Sequence, residues 1–158
     1  MQLPPLNLPP VDLKLKMEDG ILKSYDPFRR KYVALTPEEY VRRHFTEWLV
    51  TALHYPASNI ANEVGVNLNG TKKRCDTLVI DRDRAPLMIV EYKAPGVDVT
   101  QAVFDQIVRY NMTLKARYLV VSNGLKHYCC IMDYENSTYH FIPRVPDYIE
   151  TTHQPSQN

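Results

Sequence analysis

The stretch LMIVEYKAP, residues 87–95, is the point from which the fold of this chain is read. It opens on four apolar residues, Leu87, Met88, Ile89 and Val90, a run that suits a strand covered on both faces. It then carries Glu91 and Lys93, one residue apart and therefore on one side of a strand, before Pro95 and Gly96 end it. Burying an ion costs on the order of several kcal/mol unless it is paired or bound to a metal. The strand therefore has an apolar half and a charged half, and the charges belong at the end where a sheet opens.

The preceding run RCDTLVI, residues 74–80, supplies a partner. The connection from Asp81 to Pro86 is short and polar, so the two runs are expected to form an antiparallel hairpin. Setting Ile80 against Leu87 places Leu78 against Ile89, Asp76 against Glu91 and Arg74 against Lys93, and the apolar pairs support that assumed register. Two carboxylates then stand roughly 4.5–5.5 Å apart at Cβ, a destabilising arrangement on its own. A divalent cation between them reverses the sign. Oxygen donors suit Mg²⁺ or Mn²⁺, with no imidazole or thiolate in the pattern to favour zinc. Lys93, one step along the same face, can orient a nucleophile or stabilise developing charge. The competing reading is a structural ion pair at the rim of the sheet, with Glu91 bound to Lys93 or Arg74.

Around this hairpin the chain alternates helix and strand signals. LTPEEYVRRHFTEWLVTALHY, residues 35–55, has Thr36 as N-cap, Pro37 at the first helical position and Glu39 completing a capping box. Val41, Phe45, Trp48, Leu49 and Ala52 recur at helical spacing. IANEVGVNL, residues 60–68, reads as a strand closed by Asn69-Gly70. A second helix spans TQAVFDQIVRYNMTLK, residues 100–115, with Thr100 as N-cap and Val103, Ile107, Tyr110 and Leu114 along one stripe. Within it Gln106 and Tyr110 are four apart and share a face. RYLVVSNG is a buried strand, and KHYCCIMDYE and TYHFIPRV are two closing strands. Upstream, the proline-rich residues 1–16 are expected to lie extended or pair at a sheet edge. Residues 18–35 give one or two short strands with turns at Asp19-Gly20 and Asp26-Pro27. Residues 151–158 read as a disordered polar tail, which leaves 1–150 as one domain. The fold class is α/β, a mixed sheet with packed helices.

Composition supports a globular protein: 158 residues, 44% hydrophobic, 23% charged, net charge +1. Any basic surface must be local, at Arg29-Arg30-Lys31, Arg42-Arg43 or Lys72-Lys73-Arg74. The three cysteines are odd in number and form no CxxC pair, which argues against a disulfide framework and a zinc site. Cys129 and Cys130 should point to opposite faces of a strand as core thiols. Neither a signal peptide nor an apolar run of about 18 residues is present, so a cytoplasmic protein with no membrane partner is expected.

Together Asp76, Glu91-Tyr92-Lys93 and the helix–meander–helix–strand order resemble the PD-(D/E)xK nuclease superfamily. Gln106 and Tyr110 are similar to the QxxxY motif of its RecB-like branch. More narrowly LNLPP, YDPFRRKYVALTPEEYVRRHF, RCDTLVI, IVEYKAP, FDQIVRYN and VSNGLKHYCC resemble the N-terminal nuclease domain of type I restriction enzyme R subunits, in particular its small stand-alone members. The resemblance covers about Leu6 to Pro146. It implies Mg²⁺-dependent cleavage of DNA phosphodiesters, with Mn²⁺ able to substitute. Asp76, Glu91 and the Tyr92 carbonyl would hold the metal, Lys93 would act on the attacking water, and Gln106 and Tyr110 would contact substrate or brace the site. Glu39, Glu47 and Glu63 are candidates for an additional acid. The implied partners are DNA, other restriction-system subunits and, for cutting two strands with one site, a second copy. Two departures stand out. No GxxxxGK[ST] loop accompanies the nuclease pattern, so no motor is expected here, and Cys75 stands where the superfamily has its proline. A catalytically inactive nucleic-acid-binding module on the same fold is the alternative.

Overall fold

A computed structural model describes residues 3–153. An N-terminal antiparallel sheet contains β1 (Leu15–Glu18), β2 (Ile21–Asp26) and β3 (Lys31–Ala34). Helix α1 (Pro37–Thr51) leads by a short 3₁₀ turn into a six-stranded sheet of order β4-β5-β6-β7-β8-β9. These strands are β4 (Ile60–Leu68), β5 (Thr71–Ile80), β6 (Pro86–Tyr92), β7 (Tyr118–Ser122), β8 (His127–Asp133) and β9 (Thr138–Ile142). Helix α2 (Gln101–Leu114) connects β6 to β7, the single parallel pair, and α3 (Tyr148–His153) follows β9.

The sheet is covered on both faces, as the apolar run of β6 requires. On one side Val41, Phe45 and Leu49 of α1 meet Val79, Met88, Val90, Tyr92, Val120 and Cys129. On the other Phe104 of α2 meets Cys75, Ile89, Leu119, Val121 and Cys130. Cys129 and Cys130 thus divide between the two faces, and all three thiols are free and buried. Among the described residues, none of the helices is long and apolar enough to cross a membrane.

Several expectations are corrected. Leu78 does pair with Ile89, but Ile80 pairs with Pro86 because a bulge follows Val79. Asp81 causes it: its carboxylate accepts the Asp83 and Ala85 N–H groups and tightens the turn. The β5–β6 ladder ends at Thr77–Val90, and the Lys93 N–H bonds to Ser122 of β7, so Arg74 and Lys93 do not pair. Glu39 does not close a capping box. Thr36 caps Glu39 as expected, but the Glu39 carboxylate turns to Arg29 and Arg42. The stripe of α2 is led by Phe104 and Asn111, both buried, rather than by Val103. Ala52 lies outside α1 as its C-cap and is exposed. The upstream segment does form strands: β1 pairs at a sheet edge, and β2 and β3 are the two short strands of residues 18–35. Residues 151–153 belong to α3, with Thr151 buried, and the rest of the expected tail, residues 154–158, lies outside the described residues.

Candidate active site

The site is built where β5 leaves β6. Glu91 lies on the α2 side of β6, by alternation with Ile89. Asp76 leans across to it: Asp76 Oδ2 accepts the Tyr92 N–H at 2.9 Å. The side chain thereby serves where the main-chain ladder has stopped. Burial, and then the Asp76 carboxylate beside it, push Glu91 up to about 9. Among the described residues neither carboxylate makes an ion pair, and the Lys93 ammonium offsets the crowding least of the groups acting on Glu91. Tyr110 comes down from α2 onto the pair. Its hydroxyl is buried without a hydrogen-bond partner, and burial together with Cys75, Glu91 and Asp76 raises its pKa above the ordinary phenol value. Gln106, one turn earlier, is exposed.

The three extra acids separate clearly. Glu63 stands opposite Asp76, because the pairs Asn62–Thr77 and Val64–Cys75 flank it in one register. Its backbone is left-handed, φ 57°, a conformation unusual for a glutamate. The strand turns over there: Ile60 packs on the α1 side, but Val64 and Val66 pack on the α2 side. Glu39 is committed to the two guanidinium groups, and Glu47 pairs with Arg43 at the surface. Of the three, Glu63 alone lies on a strand paired with β5 at the level of Asp76, and its carboxylate is engaged by Arg42 and Arg74.

The sequence reading missed Arg42, which is 6% exposed. Its Nη1 donates to the Asp76 carbonyl at 2.9 Å, its Nη2 to Glu63 at 2.6 Å, and its guanidinium lies over the Tyr92 ring at 5.6 Å. One side chain from α1 thus ties β4, β5 and β6 at the site. Behind it the Tyr92 hydroxyl donates to Thr77, Thr77 to Asn62, and Asn62 to Asp26. The doubled arginine in Arg42-Arg43 was the one visible signal, and it reads as a solvated patch because its partners at the site, Glu63, Asp76 and Tyr92, lie twenty or more residues away.

The donor set fits a hard divalent cation. Two carboxylates and the Tyr92 main-chain carbonyl are all oxygen, and Mg²⁺ commonly takes one or two carboxylates and keeps several waters. The Cys75 thiol bonds to the Thr77 carbonyl and is pushed up by burial, so it offers no thiolate. Among the described residues no group of three or more His, Cys, Asp or Glu side chains could hold a metal, so the set stops at two side chains.

A mixed sheet with a helix on each face, a three-strand meander and a parallel fourth strand define a restriction-endonuclease-like α/β protein. A solved fragment described as an HsdR subunit of a type I restriction enzyme from Vibrio vulnificus YJ016 shares the fold. It superposes with a TM-score of 0.52 at 20% identity, over 75% of this chain and 25% of that one. Residues 37–146 match the family described as type I restriction enzyme R protein N terminus, and the chain belongs to that family. No curated protein matches the chain. The present chain spans about a quarter of the Vibrio fragment.

Proposed function

We propose that this chain is a Mg²⁺-dependent DNA endonuclease module of a restriction system, without a motor in these residues. One observation carries the reading. Asp76 and Glu91 are held together where β5 leaves β6, with no matching ion pair, beside Lys93. Like charges set together in this way suit a ligand that neutralises both. Asp76, Glu91 and the Tyr92 carbonyl would hold Mg²⁺, or Mn²⁺ in its place. The ion when bound would polarise the phosphoryl oxygen and lower the pKa of water. Lys93 would orient the attacking water or stabilise charge on the phosphate. Tyr110 would brace the carboxylates from above, and Gln106, free in solvent, would meet the substrate. Glu63 would be the additional acid. DNA and other restriction subunits are the partners, in a cytoplasm that suits three free thiols.

Plasmid nicking with and without Mg²⁺ or Mn²⁺ tests this. Metal-dependent nicking is expected, with a loss of about a hundredfold or more in Lys93→Ala. Metal binding and DNA binding without cleavage would favour the inactive binding module. Absence of all three would return Glu91 and Lys93 to a rim ion pair.

A further inference from the structure

The hairpin of β4 and β5 outruns the sheet. β5 pairs with β6 only as far as Thr77, yet β4 and β5 stay paired out to Leu68–Thr71. β6 itself ends at Tyr92, level with Cys75, so the ribbon from Val64 to Cys75 projects past β6 by roughly 13 Å, at about 3.3 Å per residue. Its two faces differ. One holds Val64, Val66 and Cys75 toward α2, with Lys73 Nζ 5.9 Å from the Tyr110 ring. The other carries the pairs Gly65–Arg74 and Asn67–Lys72 and no large apolar side chain. Around Gly65 nothing lies within 4 Å of where a Cβ would stand.

Charge on this ribbon has one sign. Lys72, Lys73 and Arg74 are all exposed, and Val64 to Cys75 contains no carboxylate, in a chain of net charge +1. The acidic contact of the row is Arg74 with Glu63 at 3.9 Å, and the Arg74 side chain is 74% exposed. A face that served solubility alone would mix signs. Arg109 is exposed on α2, whose Tyr110 ring lies beneath Lys73.

We propose that the β4–β5 ribbon is an arm that grips duplex DNA, with Lys72, Lys73 and Arg74 on backbone phosphates. The proposal rests on the nuclease reading for the place of the scissile phosphate: Arg74 is two residues from Asp76 on one strand, so a phosphate held there keeps its neighbours at the carboxylate pair. A two-stranded ribbon is of a size the major groove admits. Contacts to phosphate position the duplex without reading its sequence.

The test is anisotropy titration of a labelled DNA duplex, in EDTA, over a range of salt. It compares the wild type, the triple variant Lys72→Ala/Lys73→Ala/Arg74→Ala, and the control Arg82→Ala/Arg84→Ala/Lys115→Ala. The control removes the same charge at the far end of the strands. Each lost phosphate contact flattens the salt dependence by about 0.9. The arm variant is therefore expected to lose roughly 40-fold less affinity than the wild type between about 50 and 200 mM salt. The control should keep the wild-type slope. Equal slopes in arm variant and control overturn the arm, as does a loss seen on an RNA duplex and not on DNA. Nicking on the same samples separates the two proposals. Nicking with an unaltered arm-variant slope removes the arm and leaves the nuclease. A flattened slope with no nicking by any protein keeps the arm and removes the nuclease.

Discussion

Two groups of buried carboxylates lie on opposite sides of one sheet, and the protein treats them oppositely. On the α1 side Asp26 and Glu39 share Arg29, Glu39 and Glu63 share Arg42, and Asp26 also accepts from Asn62 and the Phe28 N–H. Burial alone would push Asp26 up, but the hydrogen bonds from Arg29, Asn62 and Phe28 outweigh it and hold its carboxyl below the usual range. On the α2 side Asp76 and Glu91 face each other with no guanidinium between them, and Glu91 is pushed up. A fold that can match four arginine contacts to three acids has the means to neutralise two more. Leaving them unmatched is a stability sacrifice, and sacrifices of this kind mark a place where a ligand completes the charge.

The comparison can be broken most severely at Arg42. Arg42→Ala removes a buried cation from buried Glu39, which keeps only Arg29, and from half-buried Glu63, and should cost about 3–5 kcal/mol in urea unfolding. A change under about 1 kcal/mol would mean the matched side is not held by charge. Next in size is Asp26→Asn, expected to cost about 1.5–3 kcal/mol. Because the folded Asp26 binds its proton less tightly than the unfolded chain, its contribution is complete above the ordinary carboxylate value of about 4. It is lost as pH falls through the lowered folded value. The wild-type urea midpoint should drop on acidification, and the Asp26→Asn variant should show a flatter profile. The unmatched side should respond in the other direction. Folding raises Glu91 to about 9, so at pH 8 the folded chain must hold a proton there that the unfolded chain releases, and stability is lost as pH rises above the ordinary carboxylate value. Glu91→Gln removes that cost, so without metal at pH 8 it should raise stability by about 1 kcal/mol or more, while it abolishes nicking. Lowered stability there would sink the idea that the pair is unneutralised. The smallest effect belongs to Glu47→Ala: a surface pair with Arg43 is worth about 0.3–0.5 kcal/mol, and cleavage should not change.

How far the sequence showed this depends on the distance over which each feature is encoded. The Leu78–Ile89 register was legible because apolar alternation repeats every two residues, and the Asn69-Gly70 turn because both residues take positive φ, 49° and 82°. The bulge after Val79 was not, since it follows from a side-chain turn at Asp81 that apolar pairing does not see. The face of α2 was legible at Ile107, Tyr110 and Leu114, which pack on the core, but not at Asn111, which looks polar and yet is buried, bonded to the Ala116 N–H and the Tyr134 hydroxyl. That Asp76 and Glu91 come together could be read from local spacing alone. Arg42 and the turned-over strand at Glu63 could not, because a lone arginine in a helix and a glutamate in a strand carry no local sign of a left-handed residue or of three distant partners.

The N-terminal segment bears on how this protein can be cut down. The family match begins at residue 37, but the folded unit begins earlier. Asn7 donates its N–H to the Gly124 carbonyl, and the Pro4 carbonyl accepts the Tyr40 hydroxyl. Gly124 has φ 84°, and a Cβ there would stand 2.7 Å from Leu6. The His127 ring closes the junction between the Asn7 carbonyl and the Ser122 hydroxyl. A fragment trimmed to the matched residues would bare Val41 and the glycine turn, and would strip Asp26 and Arg29 from the network behind Tyr92. Protease mapping should therefore spare the first strands along with the sheet, and the smallest version that keeps its shape should start before Pro4.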